Sequence, residues 1–191
     1  MTVQNDGGGS SVQYTPITRN EKKDEPTPGN LTLSDELKKA GVTITTIDGV
    51  QYYDYSEPIN TVFSNEGVEA SNHKGDLKWF KSKVNHEAEW DIKIKKSWEN
   101  TVGTPFPGSY DTQIVVNGII TTPEELGNMM YGYTGTAAKI SKTVLIGGSM
   151  YAAGIWGIIT DKEKRTNEFN DHDAITKGIE LYKKDKEAKE K

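Results

Sequence analysis

From Thr122 to Ile159 the chain reads TPEELGNMMYGYTGTAAKISKTVLIGGSMYAAGIWGII. No other stretch restricts the fold as strongly. It opens on a well-marked helix start, with Thr122 at the N-cap, Pro123 at the first helical position and Glu125 three residues after the cap. Gly127, Gly132 and Gly135 follow. Each glycine weakens a helix by up to about 1 kcal/mol relative to alanine, so a break is expected near the Gly-Tyr-Thr-Gly segment. A second helix is expected from Lys142 to Ile159. Thr143 to Ile159 holds 17 residues without a charge. Gly148 with Ala152, and Ala153 with Gly157, recur four apart, a spacing that suits close helix packing in lipid. The run falls short of the roughly 20 residues that a membrane span needs, and four glycines and Ser149 dilute it. Its expected place is the centre of a folded core, with insertion as the lesser reading.

The rest of the chain frames this stretch. Residues 1–30 are Gly, Ser, Pro, Asn and charged residues without period, and read as a flexible tail or linker. Residues 31–191 are expected to form the globular part. LTLSDELKKAG (31–41) predicts a short helix capped by Ser34 and stopped at Gly41. VTITTIDGVQYYDY (42–55) predicts a β-hairpin turning at Asp48-Gly49. Helices are expected from Pro58 to about Glu69 and from Asp76 to Val84, the second with Trp79, Phe80 and Val84 toward the core. In WDIKIKK (90–96), Ile92 and Ile94 alternate with charged residues and predict an edge strand. WENTVGTPFPGSYDT (98–112) predicts a loop, and QIVVNGIIT (113–121) a second small hairpin at Asn117-Gly118. From Asp171 a last helix is expected, capped by that residue, with Ile175, Ile179 and Tyr182 on one face. The fold class is therefore α+β: a mostly helical single domain with one or two small β-hairpins and a central buried helix.

Composition narrows the chemistry. The 191 residues contain no cysteine, which removes thiol nucleophiles, disulfides and thiolate metal sites. A net charge of −5 gives no general attraction to nucleic acid or an anionic membrane, although a local basic groove can coexist with it. The start, MTVQNDGGGSSVQ, has no apolar run of the signal-peptide kind, so export is expected to use another route or a larger carrier. No GxxxxGK[ST], GxSxG, CxxC or HExxH occurs, so phosphate-loop NTPase, α/β-hydrolase and zincin chemistry have no support. No metal or cofactor is expected.

The polar candidates are few. Asp91 and Lys93 alternate, so on a strand they would share a face and flank a cleft. Asn128 and Tyr131 lie three apart on one helix side, where their donors could meet a developing charge. Gly132, Gly135 and the residues between, Thr134 among them, could form a backbone anion nest. His172 stands between Asp171 and Asp173 at an expected helix start and is a candidate proton carrier. His73 and His86 occupy polar contexts and read as surface residues.

Four blocks, in order, resemble the bacterial polymorphic toxin type 44 domain. They are GDLKWFKSKV running into EWDIK, GNMMYGYTGTAA, the small-residue run with Leu145, Gly147 and Gly148, and DHDAITKGIELY with Asp171, Ile175 and Gly178. The similarity covers about residues 58–185. Ile92, Ala88-Glu89 and Lys139 stand where the family pattern has Tyr, Gly-Pro and Gly. The resemblance implies a C-terminal effector of an interbacterial toxin system. Such a module is delivered into target bacteria by a secretion apparatus or carrier protein and neutralised by a cognate immunity protein. It further implies a toxic hydrolase, first a metal-independent RNase, with a peptidoglycan (cell-wall) hydrolase as the alternative. A non-enzymatic pore-former using 143–159 is a third reading, though a membrane is not the expected partner. Asp91, Lys93, Asn128, Tyr131 and Asp171 are its implied site positions. In the RNase reading, Asp171 and His172 would exchange protons and Lys93 would steady the phosphate.

Overall fold

The computed structural model describes residues 31–153 and 162–190. The expected tail, 1–30, lies outside them, as does the end of the apolar run, 154–159. Among the described residues the chain is mostly helical with one small sheet, in the order α1 (Asp35–Lys39), β1 (Thr43–Ile47), β2 (Val50–Asp54), α2 (Ser56–Asn72), α3 (Leu77–Val84), α4 (Lys95–Thr101), β3 (Ile114–Val116), β4 (Ile119–Thr121), α5 (Pro123–Ala137), α6 (Lys142–Ala153) and α7 (Lys162–Lys189). The α+β class is as expected.

Both hairpins form where a two-residue turn demands positive φ. Asp48 and Gly49 take φ of 51° and 82°, and Asn117 and Gly118 take 54° and 77°. Antiparallel β1–β2 and β3–β4 then join through a parallel contact, Asp54 with Val115, into a sheet of order β1-β2-β3-β4. Ser34 and Thr122 cap α1 and α5 as expected, accepting the backbone N–H of Leu37 and Glu125, and Asp76 caps α3 by accepting that of Trp79.

The central buried helix is α5, the first half of the stretch from Thr122 to Ile159. Leu126, Met130, Tyr133 and Ala137 are at most 2% exposed. They pack among Tyr55, Ile59, Phe63, Phe80, Trp90, Ile92 and Trp98. The expected break near Gly132–Gly135 does not occur, and α5 runs to Ala137. The glycines serve contact. A Cβ on Gly132 would overlap the carbonyl of Ile175, and one on Gly178 that of Met129, so α5 and α7 cross backbone to backbone.

Four further expectations are corrected. The apolar run is not the core helix over its described part: on α6, Thr143, Val144, Gly147 and Gly148 are exposed, and among residues 142–150 only Leu145 is fully buried. The reason is that glycines and serine leave α6 too little apolar side chain to compete with α5 for the centre. Residues 90–94 are not an edge strand. Asp91 N–H bonds to the Ala88 carbonyl (3.1 Å) and Ile94 N–H to that of Asp91 (2.9 Å), closing local turns that lead into α4. Ile92 is fully buried and Asp91 only 7% exposed, so the alternation does not divide a wet face from a dry one. α4 also takes the start of the expected loop at Trp98. Finally, α7 begins at Lys162, ahead of Asp171, so Asp171 is an interior helical residue and not a cap.

α5 ends with Ala138 as C-cap and Lys139 in the left-handed region at φ 62°. That is the position at which a helix most often ends in glycine. Replacing Lys139 by glycine is expected to raise stability by about 1 kcal/mol by removing the left-handed penalty. Urea unfolding checks this through a higher midpoint at unchanged slope.

Candidate functional site

α3, the 85–94 segment, α5, α6 and α7 enclose a cavity of about 650 Å³. That lies within the size range of small-ligand sites. Its apolar lining includes Leu77, Phe80, Val84, Ile140, Val144 and Leu145. Its polar lining includes His86, Asp91, Lys93, Asn128 and Asp171, together with Tyr131.

Asp91 reaches the cavity because the chain reverses between α3 and α4. Glu87 takes a left-handed φ of 61°, and its N–H donates to Asp91 Oδ2 at 3.0 Å. The same oxygen lies 3.4 Å from His86 Nδ1. Asp91 is nearly buried while the His86 side chain is 77% exposed, so a fixed carboxylate faces an accessible imidazole.

Asn128 Nδ2 donates to Asp171 Oδ1 at 2.6 Å, tying α5 to α7. Two turns of helix are thus held by the same crossing that the glycines permit. Tyr131 donates its hydroxyl to the Leu145 carbonyl at 3.1 Å, and burial raises its proton affinity. Glu124, one turn before Asn128, is solvent-accessible. Its carboxyl is nevertheless raised above the ordinary range, chiefly by desolvation and then by the charge of Asp171, with Lys93 opposing. Lys93 and Asp171, both lining the cavity, therefore act electrostatically on the same carboxyl group.

Of the sequence candidates, Asp91, Lys93, Asn128, Tyr131 and Asp171 line one cavity. Two do not. Thr134 is completely buried and donates to the Met130 carbonyl at 2.7 Å, a bond internal to α5, so it forms no anion nest. His172 is not among the lining residues. Neighbouring positions of a helix point roughly 100° apart, so Asp171 and His172 cannot both face the cavity squarely. His86 and Glu124 were missed. The sequence signal for His86 was its position five residues before Asp91, which becomes contact only through the reversal at Glu87. His73 stacks on Trp79, with ring centroids 3.8 Å apart, away from the cavity.

Behind the cavity wall, carboxylate oxygens of Glu66, Glu69 and Glu89 lie within 4.8 Å of one another, the single such trio among the described residues. The chain supplies its own cation there. Lys83 Nζ is 2.9 Å from Glu69 and 2.6 Å from Glu89.

The family model described as bacterial toxin 44 matches residues 78–184, which take in the lining residues from Phe80 to Ile175. No curated protein and no solved structure matches the chain.

Proposed function

Since the chain belongs to the bacterial toxin 44 family and so carries a bacterial toxin effector domain, we propose that this domain is a hydrolase, that the cavity is its active site, and that RNA is its substrate. One observation carries the choice of RNA. The segment 74–96, which forms one wall of the cavity, has seven lysines against four carboxylates in a chain whose net charge is −5. Lys81 and Lys93 line the cavity itself. A local basic wall on an acidic protein draws a polyanion to one place.

Each polar residue then has a role. The His86 imidazole, oriented through Nδ1 by Asp91, accepts the proton of a ribose 2′-hydroxyl as that oxygen bonds to phosphorus. Lys93 balances the charge on the non-bridging phosphate oxygens. The bond from phosphorus to the 5′ oxygen breaks, and that oxygen takes a proton from Glu124, whose carboxyl is held more protonated than an ordinary glutamate. The products are a 2′,3′-cyclic phosphate and a free 5′-hydroxyl. Asn128, fixed by Asp171, donates to the substrate.

Incubating the purified protein with total RNA tests this. Cleavage is expected, and His86→Ala should lower its rate by about 100-fold or more, the usual contribution of a positioned proton acceptor. RNA left intact at high protein concentration, with and without divalent metal, would reject the reading. A second reading rests on Asp91 and Asp171 lining the same cavity, since two carboxylates are also what glycosidic bond hydrolysis requires. Peptidoglycan would then be the substrate.

A further inference from the structure

We propose that Glu66 is a positioning residue for the cavity, holding the 85–91 segment, and with it His86 and Asp91, through the indole of Trp90. The proposal rests on the reading of the cavity as the active site, and its geometry is independent of the reaction.

The segment between α3 and α4 has no regular structure of its own, so something outside must hold Asp91 still. The contacts that do so converge on Trp90. Its indole Nε1 donates to Glu66 Oε2 on α2 at 2.8 Å. Its backbone N–H donates to the Lys83 carbonyl at 2.9 Å. Lys83 Nζ sits over the Trp90 and Trp79 rings, 5.4 and 5.7 Å from their centroids, while pairing with Glu69 and Glu89. Thr101 Oγ1 donates to the Glu89 carbonyl at 2.7 Å. Trp90 is 2% exposed, and its ring forms part of the cavity wall. Asp91 is the next residue. A shift at Glu66 therefore reaches Asp91 through one nearly buried ring and one peptide unit.

The charges around Glu66 make the tie sensitive to protonation. Glu69 on α2 and Glu89 on the segment act on it directly, Lys83 on α3 and His73 beyond the end of α2 act on Glu69, and Glu57 lines the same small cleft as Glu66. Desolvation first, and then the hydrogen bond and negative charge of Glu69, push the Glu66 carboxyl up to about 7, while the indole bond opposes the rise. Protonated Glu66 can donate to Glu69 and still accept from Trp90. Ionised Glu66 places three carboxylates around one ammonium, and the trio repels. The sign for stability follows. Between the ordinary glutamate range and about 7, folded Glu66 keeps a proton that the unfolded chain has lost. The folded state is therefore weakened as pH rises through that window.

Indole and amide NMR signals test the tie without any substrate. The chain has four tryptophans, and Trp90→Phe assigns the Trp90 indole signal. On titration from pH 5.5 to 8.5 of a His86→Asn protein, used as the background for every variant here so that no imidazole lies beside Asp91, the Trp90 indole N–H and the Glu87 amide, which donates to Asp91, are expected to shift together with a midpoint near 7. Glu66→Gln keeps an acceptor and the shape, and should abolish this midpoint from both signals while the protein stays folded. Glu66→Leu removes the acceptor, and should displace the Glu87 amide at every pH. An indole signal that titrates while the Glu87 amide stays fixed would overturn the proposal, as would an unchanged titration in Glu66→Gln. Failure of RNA cleavage alongside a coupled titration would reject the reaction and keep the positioning role.

Discussion

Replacing Gly178 by alanine is expected to destabilise the protein by about 3 kcal/mol, the upper range for forcing extra volume into a packed core. Helix propensity alone gives the opposite sign, since alanine is favoured over glycine within a helix by up to about 1 kcal/mol. The crossing of α5 and α7 decides. A methyl group at Gly178 would overlap the Met129 carbonyl, and one at Gly132 would overlap that of Ile175. In both cases the obstacle is backbone, which cannot rotate away as a side chain can. The helices would have to separate, loosening the Asn128–Asp171 bond and the contacts of Tyr133 with Tyr182 and Asp185. For a domain of this size, about 3 kcal/mol corresponds to a fall of roughly 10 °C in Tm. Thermal unfolding followed by circular dichroism measures it. An unchanged or higher Tm in Gly178→Ala would show that the helices do not cross at these glycines.

Under the proposed RNA cleavage, Asp91→Asn is expected to remove at least about 99% of the activity and to leave the fold intact. Asparagine has the shape of aspartate, and its carbonyl oxygen can still accept the Glu87 N–H that closes the turn. It loses the charge that faces His86 Nδ1. A histidine without its carboxylate loses its fixed orientation, and positioned acid–base groups are worth about 100- to 10,000-fold. Cleavage of a short labelled RNA at saturating substrate, beside a thermal melt of the same preparation, separates activity from folding. Wild-type rates in Asp91→Asn would remove Asp91 from the reaction.

How much of this was legible in the sequence depends on how local each cause is. The two hairpins were readable because Asp48-Gly49 and Asn117-Gly118 fix positive φ within two residues. The start of α5 was readable because Thr122, Pro123 and Glu125 act within one turn. The parallel pairing of Asp54 with Val115 joins distant segments and leaves no local mark. The alternation in WDIKIKK has the period of a strand, yet Ile92 is buried by α5 above a turn, so the same pattern arises from tertiary contact. The glycines of α5 were read for their cost to an isolated helix, whereas their use is the approach of α7. The site followed the same rule. Asp91, Lys93, Asn128, Tyr131 and Asp171 were chosen by motif and share one cavity. His172 and Thr134 were chosen by adjacency, and helical geometry turns them elsewhere. His86 depends on the reversal at Glu87, which sequence spacing does not reveal.

The most direct test of RNA as the substrate is bacterial growth with the domain expressed either in the cytosol or, behind an export signal, in the periplasm, each as wild type and as Asp91→Asn. The expected result is growth arrest with loss of intact RNA for cytosolic wild type only, with normal growth in the other three cases. Killing confined to periplasmic wild type would contradict RNA as the substrate and favour peptidoglycan, and equal killing by Asp91→Asn would contradict the cavity as the active site.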